Sequence, residues 1–470
     1  MRIIIGGAGE VGRGLAEVLL EEGKIIVIID NDPLAVREAQ MMNAMVIQGD
    51  IKHRRTLEEA GINDANIFIA VTDSDEQNLI ACALARHCRS MSEHPRTELM
   101  AIARVNDPEI INEANEGLLV HWAGVKHVFS TVSGSIDRLR TGLQCTAFEE
   151  VVELGNDAYI IELNLTRKAT HLVYATLAEA EKRVGGLPTI VGIRRKAGES
   201  IVPREDSQLL PDDRLAIATI GTGSFQRIVR LTGNEEPDFP KTPRVLIFGG
   251  NLLGCRLAAA YLADGCRVTI IEEDLELANR LAGSELGNNR LLDVINGEHK
   301  DADLLNDIEV SSHDIALAAL EDDHASIAVV LLAQDMQVPR TGLILGDAKL
   351  VNVVHRMGIT FAVARRKVAI DAILTQIHSN LPGPYSLLAT IPEIVGMSVP
   401  LQEGHQFIGK SLKECKIDNW AKVAFIQRQV KDGKVVTLSA QSSKQLLQSD
   451  RLLVFMPTDR VHTFEKRMGG

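Results

Sequence analysis

Short, nearly unbroken apolar runs alternate with longer amphipathic stretches through the first part of the chain. Residues 2–6 and 25–30 are almost pure Ile and Val, the pattern of strands buried on both faces of a parallel sheet. Between them, residues 11–22 carry apolar side chains at helical spacing. Asp32-Pro33 predicts the start of the next helix, an N-cap followed by proline at the first helical position. Residues 66–72 and 98–105 continue the strands, with 75–89 as the helix between them. Alternation of this kind predicts an α/β fold, a Rossmann-like, doubly wound parallel sheet.

The same pattern returns later in the chain. Arg2-Ile3-Ile4-Ile5-Gly6-Gly7 aligns with Arg244-Val245-Leu246-Ile247-Phe248-Gly249 at a spacing of 242 residues, and the strand ending at Asp30 aligns with the one ending at Glu272. Ile67-Phe68-Ile69-Ala70 matches Ile315-Ala316-Leu317-Ala318 at 248, and Ile136-Asp137 matches Ile370-Asp371 at 234. The drifting offset over a domain-sized span indicates a duplicated domain with small insertions and deletions, not a short solenoid repeat. Each copy is followed by short β-type runs, 189–195, 200–202 and 214–218 after the first and 422–428, 434–438 and 451–455 after the second. These read as small α+β lobes. Prolines at 237, 240 and 243 mark a linker, and the Pro/Gly cluster at 381–384 cuts the second half. The expected organisation is a first Rossmann-like domain at 1–143, its lobe at 144–232, a linker at 233–243, a second Rossmann-like domain at 244–376 and its lobe at 385–470.

Composition narrows the function classes. With 45% hydrophobic residues among 470, the chain can bury packed cores. Its 50 Lys+Arg against 63 Asp+Glu, with 4% aromatics, lack the basic footprint and stacking platforms of a nucleic-acid binder. No apolar run approaches the ~18–20 residues of a spanning helix, and glycines with Glu10 interrupt any signal-peptide core at the start. Six scattered cysteines without a CxxC pair read as reduced, structural thiols of a cytoplasmic protein. The 13 histidines form no metal-binding motif.

The candidate chemistry lies at the first strand–helix junction. Gly7-Ala8-Gly9-Glu10-Val11-Gly12 is a GxGxxG run that follows a strand and opens a helix. Gly7 permits the tight turn, Gly9 lets backbone approach a pyrophosphate, and Gly12 allows close helix–strand packing. The helix N-terminus offers free N–H groups and partial positive charge to phosphates. Asp30 lies 18 residues beyond Gly12, placed to accept ribose hydroxyls and to repel a 2′-phosphate, which favours NAD(H) over NADP(H). The plainer reading is a glycine-tight turn beside a solvated Asp30. Gly49, Asp50, Thr72, Asp73 and Ser74 follow the third and fourth strands and serve as ligand contacts or as turn and capping residues; Asp32 reads as a cap. Arg104 sits in an apolar strand and requires an anion, either a ligand phosphate or a carboxylate partner.

In the second copy Gly249, Gly250, Asn251, Leu252 and Leu253 occupy the corresponding run, with Asn251 in place of the middle glycine. Glu272 replaces Asp30, Glu298 replaces Asp50, Glu321 replaces Asp73, and Arg104 has no arginine counterpart in Gly346-Asp347-Ala348-Lys349. An acidic site crowded by Asn251 predicts a retained fold with weak or altered nucleotide affinity. The segment Gly404-His405-Gln406-Phe407-Ile408-Gly409-Lys410-Ser411 formally matches a P-loop, but 396–403 before it is interrupted by proline and poor in apolar residues, so the match reads as coincidence.

Taken in order, the GxGxxG run, Asp30, Gly49-Asp50, the stretch Ala70-Val71-Thr72-Asp73-Ser74-Asp75-Glu76-Gln77-Asn78 and Ile102-Ala103-Arg104-Val105 resemble the TrkA family, tandem RCK (KTN) regulatory subunits of Trk potassium-uptake systems. Phe407-Ile408-Gly409-Lys410-Ser411-Leu412 resembles the entry of an RCK C-terminal lobe, which accounts for the P-loop match; the first lobe is the weaker fit. The resemblance implies a non-enzymatic regulator that binds NAD(H) and, in some relatives, ATP or ADP. It further implies a homo-tetramer or comparable ring, peripheral on the inner face of the plasma membrane, beneath a TrkH- or TrkG-type potassium transporter. Two alternatives stay open, an NAD-dependent dehydrogenase and a nucleotide sensor acting on a different channel or transporter. A dehydrogenase needs an acid/base residue beside the nicotinamide, and no convergent His/Lys/Asp set stands out.

Overall fold

The structure is a computed structural model that describes residues 1–91, 99–125, 127–380, 384–385, 388–417, 419–430, 434–440, 442–443 and 445–468. Contacts divide the chain into two compact units. The first joins residues 1–137 to 344–354 and 363–376; the second contains 138–343, 355–362 and 377–470.

In the first unit, β1 (Arg2–Gly6), β2 (Ile25–Asp30), β3 (Met45–Gln48), β4 (Ile67–Ala70), β5 (Met100–Arg104) and β6 (His127–Phe129) form one parallel sheet in the order β3-β2-β1-β4-β5-β6. The helices α1 (Glu10–Glu21), α2 (Pro33–Ala39), α3 (Arg54–Glu59), α4 (Asp75–Ser90), α5 (Pro108–Asn115), α6 (Leu118–Trp122) and α7 (Thr131–Gly142) connect the strands or follow them. Ile3, Ile4 and Ile5 are fully buried, as the unbroken apolar run requires of a central parallel strand. The strand order reverses between β1 and β4, and the C-terminal edges of those strands frame the crevice where this class of sheet holds ligands. Asp32 caps α2 by accepting from the Leu34 N–H at 3.0 Å, as its sequence position predicts. Ser74 caps α4 through the Gln77 N–H. The predicted strand at 98–105 begins at Met100, and its first position lies outside the described residues, as do 381–383 of the predicted break.

The duplication is explicit in the topology. β12 (Arg244–Phe248), β13 (Arg267–Glu272), β14 (Leu292–Asn296), β15 (Ile315–Ala318), β16 (Arg340–Leu345) and β17 (Phe361–Ala364) form a second sheet in the order β14-β13-β12-β15-β16-β17.

Two antiparallel sheets belong to the second unit. One contains β7 (Phe148–Glu153), β8 (Ala158–Asn164), β9 (Thr189–Arg194), β10 (Ser200–Ile201) and β11 (Arg214–Ile220), ordered β10-β9-β11-β8-β7. The other contains β18 (Pro384–Tyr385), β19 (Ile394–Pro400), β20 (Lys422–Gln429), β21 (Val435–Ser439) and β22 (Arg451–Pro457), ordered β18-β19-β22-β20-β21. β7, β8, β18 and β19 are additions to the sequence reading. Residues 394–399 are buried in a strand, so the segment before the P-loop match is not the loose stretch that its proline implied. Pro400 ends that strand, where its missing N–H is tolerated. The P-loop match still fails on geometry: β19 pairs antiparallel with β22, and the segment after Gly409 forms turns instead of a helix.

Inside the second unit, Arg340 fastens the linker that the prolines mark. Its guanidinium donates to the Leu143 carbonyl at 2.7 Å, the Gln144 carbonyl at 3.2 Å and the Glu236 carboxylate at 2.5 Å, and lies over the Phe239 ring at 3.3 Å from its centroid. Three acceptors and a ring face compensate the burial of that cation.

Candidate nucleotide site

The site is built from the C-terminal ends of β1, β2, β4 and β5. Gly7 leaves β1 with φ +116°, a backbone that L side chains rarely adopt, and a Cβ there would stand 3.1 Å from the Val71 backbone. A Cβ on Gly12 would lie 1.9 Å from the Gly7 carbonyl oxygen, so this glycine is required by helix–strand packing alone. Gly9 is different. Its φ of −64° and ψ of −176° suit any residue, and nothing lies within 4 Å of the position its Cβ would take. Neither strain nor crowding within the protein accounts for glycine there. It keeps the mouth of the α1 N-terminus open, and α1 has no side-chain cap on its N–H groups.

Asp30 ends β2 and grips the turn: Oδ2 accepts from the Ala8 N–H at 2.6 Å and Oδ1 from the Asp32 N–H at 2.9 Å. The carboxylate stays half-buried, with further lone pairs free to accept from a ligand hydroxyl. Beyond it, a cleft of about 560 Å³ runs from Asp30, Asp32 and Ala35 past Gly7, Gly9, Glu10 and Val11 to Thr72, Asp73 and Arg104. Gly49 and Asp50 line a small adjoining cavity of about 20 Å³ that shares Asp30, Thr72 and Gln77 with the cleft. Asp50 also accepts from the Lys52 N–H at 2.8 Å, and a Cβ on Gly49 would meet Thr56 at 2.7 Å, so both have local structural work.

Arg104 finds the carboxylate partner that its apolar strand requires, pairing with Asp73 at 2.9 Å. Asp73 is fully exposed, so the pair is open to water, while the Arg104 Nε is buried without a hydrogen-bond partner. Ser74 belongs to the α4 cap, with its hydroxyl also donating to Glu76. Sequence reasoning gave no role to Asn78, which is fully buried and organises this corner. Its Oδ1 accepts from the Thr72 N–H and hydroxyl, and its Nδ2 donates to the carbonyls of Thr72 and Arg104. The cleft also takes in Gln77 and Gly346, together with Asn31, Thr131, Arg365 and Arg366, which no local motif marks.

The second copy is closed at the same place. Asn251 has nearly the same backbone as Gly9, φ −69° and ψ −177°, so its tolerance of positive φ is never used. Instead its Oδ1 accepts from the Gly254 N–H at 3.0 Å and its Nδ2 donates to the Ala319 carbonyl at 2.5 Å, occupying an N–H of the helix mouth. Gly250 donates to Glu272 at 2.6 Å, and Asp274 donates to its other oxygen at 2.8 Å. The longer acid is buried where Asp30 remains half-open. Gly249 keeps the positive φ of Gly7, at +101°. Leu252 is exposed and Leu253 half-buried on the first turn of the helix.

A duplicated Rossmann-like domain with a glycine-rich junction and an acidic second strand defines the class, and comparison with known families gives the membership. The TrkA-N domain matches residues 3–131 and again 245–364, more than half of the sequence. The chain belongs to the TrkA-N domain family. It is 26% identical over 463 residues to the Trk system potassium uptake protein TrkA of Vibrio alginolyticus, covering 97% of this chain and 96% of that one. It is 28% identical over 384 residues to the protein of that name from Halomonas elongata, covering 80% and 79%. Among solved structures, the GsuK RCK domain matches with a TM-score of 0.57 and 18% identity over 100% of this chain and 95% of that one. The GsuK channel bound to NAD matches at 0.58 and 17% identity over 100% and 79%. These likenesses establish the fold as tandem RCK-type.

Among the described residues no helix is long and apolar enough to cross a membrane, and no cluster of His, Cys, Asp and Glu is arranged to hold a metal ion.

Proposed function

We propose that this chain is a nucleotide-responsive regulatory protein of a membrane potassium-uptake transporter, with its nucleotide held in the first copy. The observation that carries the reading is Gly9, a glycine that neither backbone strain nor packing accounts for and that leaves the α1 N-terminus open to a phosphate. Full-length similarity to Trk system potassium uptake proteins supports the transport role, and NAD bound to the similarly folded GsuK channel agrees with the ligand class.

In this reading the free N–H groups at the start of α1 receive the pyrophosphate of NAD(H), or the phosphates of ATP or ADP. Asp30 accepts the ribose hydroxyls and disfavours a 2′-phosphate. Arg104 faces the anionic portion of the ligand, exchanging or sharing its exposed partner Asp73. Gly49, Asp50 and Thr72 shape the wall of the site, and the second copy, closed by Asn251 and Glu272, serves as scaffold. Relatives named as Trk system potassium uptake proteins along nearly the full chain support a regulator over an enzyme.

The proposed assembly is a ring beneath a TrkH- or TrkG-type transporter on the inner face of the membrane, with domains at 1–143, 144–232, 244–376 and 385–470. A nucleotide shifts such a ring only by binding its two conformations unequally. A tenfold preference per site is about 1.4 kcal/mol, and about four identical sites together reach the roughly 5.5 kcal/mol of a decisive switch. Asp30→Ala tests the site: NADH binding by calorimetry falls at least about tenfold, as loss of a charged hydrogen-bond partner requires. Wild-type affinity in a folded Asp30→Ala protein removes the first copy from the account.

A further inference from the structure

Inside the second unit, residues 388–394 lie over one face of the sheet β10-β9-β11-β8-β7 as the chain enters β19. Leu388, Ile391 and Ile394 are buried, while Ala389, Pro392 and Glu393 are exposed, so every third side chain of this strap points inward. Strand register places Gly192 of β9, Ala216 of β11 and Glu162 of β8 side by side on the sheet. The small residues make the room: a Cβ on Gly192 would meet Ile394 at 3.1 Å, Leu388 at 3.3 Å and Ile391 at 3.4 Å.

Glu162 is fully buried beneath the strap and holds it by its backbone. Its Oε1 accepts from the Ala389 N–H at 2.8 Å, its Oε2 accepts from the Thr390 N–H at 2.7 Å, and the Thr390 hydroxyl bonds the same oxygen. All of these partners are neutral. The charged groups around Glu162 are engaged elsewhere. Glu150 of β7 stands directly opposite it and pairs with Arg138 at 2.8 Å. Arg194 of β9 donates to the Thr390 carbonyl at 2.9 Å and faces Glu393 at 3.9 Å, whose carboxylate accepts from the Ser200 hydroxyl at 2.7 Å. β11 brings only Ala216 to this level. An ionised Glu162 is thus a buried charge without a cation, facing a second acid, and its neutral form is favoured. Burial outweighs the bonds from Thr390 and Ala389, Glu150 adds to it, and the carboxyl rises to about 7.

We propose that Glu162 and residues 388–394 form a proton-sensitive latch between the two antiparallel sheets: neutral Glu162 holds the strap on the first sheet, and its ionisation loosens the strap and the entry to the second. The latch does not depend on the nucleotide reading, and it gives the second unit a response to proton activity. A strap that leaves the sheet returns Glu162 to water, where its carboxyl titrates near the ordinary 4.5. The closed latch therefore keeps a proton that the open one releases, and this advantage is lost as pH rises through about 7. Between pH 6 and pH 8.5 the closed-to-open ratio falls about tenfold.

The test is amide hydrogen exchange of the full chain at pH 6 and pH 8.5, corrected for the intrinsic effect of pH on exchange. In the wild type the strap should exchange faster than β8 and β11, and its protection should fall about tenfold over that interval while β1 and β2 keep theirs. Glu162→Gln stays neutral but lacks one acceptor, so its strap should be less protected at pH 6 and insensitive to pH. Glu150→Gln removes the facing acid and should move the loss of protection to lower pH. A wild-type strap equally protected at both pH values overturns the latch, as does one no less protected than β8 and β11, because it then opens only when the sheet unfolds. A pH-dependent fall that Glu162→Gln keeps overturns the assignment to Glu162. Where that variant fails to fold, a fall left at the same pH by Glu150→Gln overturns it instead.

Discussion

Replacing Gly9 with asparagine converts the first junction into the second. Asn251 occupies that position with backbone angles within a few degrees of those at Gly9, so the substitution introduces no backbone strain. The space around the Gly9 Cβ is empty to 4 Å, so the first atom of the new side chain meets nothing in the protein. By analogy with the Asn251 bond to the Gly254 N–H, the new side chain takes the Gly12 N–H. Stability therefore holds or rises by a few tenths of a kcal/mol, the usual advantage of asparagine over glycine at an N-cap. Ligand affinity moves the other way. A phosphate loses a charge-assisted bond worth roughly 1.5–3 kcal/mol, about 10- to 150-fold, before the crowding of its approach is added. The assay pairs NADH and ATP calorimetry with thermal unfolding of the same preparation. A Gly9→Asn protein that binds as tightly as wild type refutes the assignment of the helix mouth as the phosphate site. One that unfolds several degrees earlier refutes the claim that glycine is kept there for ligand access. The converse substitution, Asn251→Gly, should not create a second site, because Glu272 stays buried where Asp30 is half-open.

Two further outcomes follow from buried charges in the second unit. Glu162, fully buried on β8, accepts from the N–H groups of Ala389 and Thr390, yet burial pushes its carboxyl up to about 7. The folded protein then holds a proton that the unfolded chain releases near its ordinary carboxylate value, so stability falls as pH rises from about 4.5 to 7 and levels off above. Thermal melts at pH 5 and pH 8 should show that decline, and Glu162→Gln should flatten it; an unchanged slope in the variant assigns the decline elsewhere. Arg340→Met leaves the Glu236 carboxylate buried without its cation and should cost about 3–5 kcal/mol in denaturant unfolding. Adding Glu236→Gln should restore much of that loss, and no restoration would mean that the carbonyls of Leu143 and Gln144 dominate the cost.

The parallel halves were legible because their signals are local: unbroken apolar strands, an Asp-Pro helix start, and a glycine run whose second copy sits at a fixed spacing. The antiparallel lobes were only half legible. β7 reads Phe-Glu-Glu-Val-Val-Glu and β8 carries Glu162, so their polar residues obscure strands whose burial is set by partners distant in sequence. β19 was discounted for a proline that turns out to stand at its end. Within the site, Asp32 could be assigned to capping from position alone and Arg104 to an anion from its apolar surroundings, while Ser74 stood open between ligand contact and cap until the fold placed the Gln77 N–H on its hydroxyl. Asn78 stood in the sequence only as the last residue of the family-like stretch, with no role, because its value lies in joining two strand ends that only the fold brings together. Thr131, Arg365 and Arg366 were hidden for the same reason, since two of the three come from the other copy of the duplication.

The central claim, that the first copy holds the nucleotide while the second is closed by its own side chains, is tested most directly by the stoichiometry of NADH and ATP binding to the intact chain, with each ligand then titrated in the presence of the other. The account predicts one site per chain for which the two ligands compete. Two independent sites per chain, or simultaneous binding of both ligands, would contradict it.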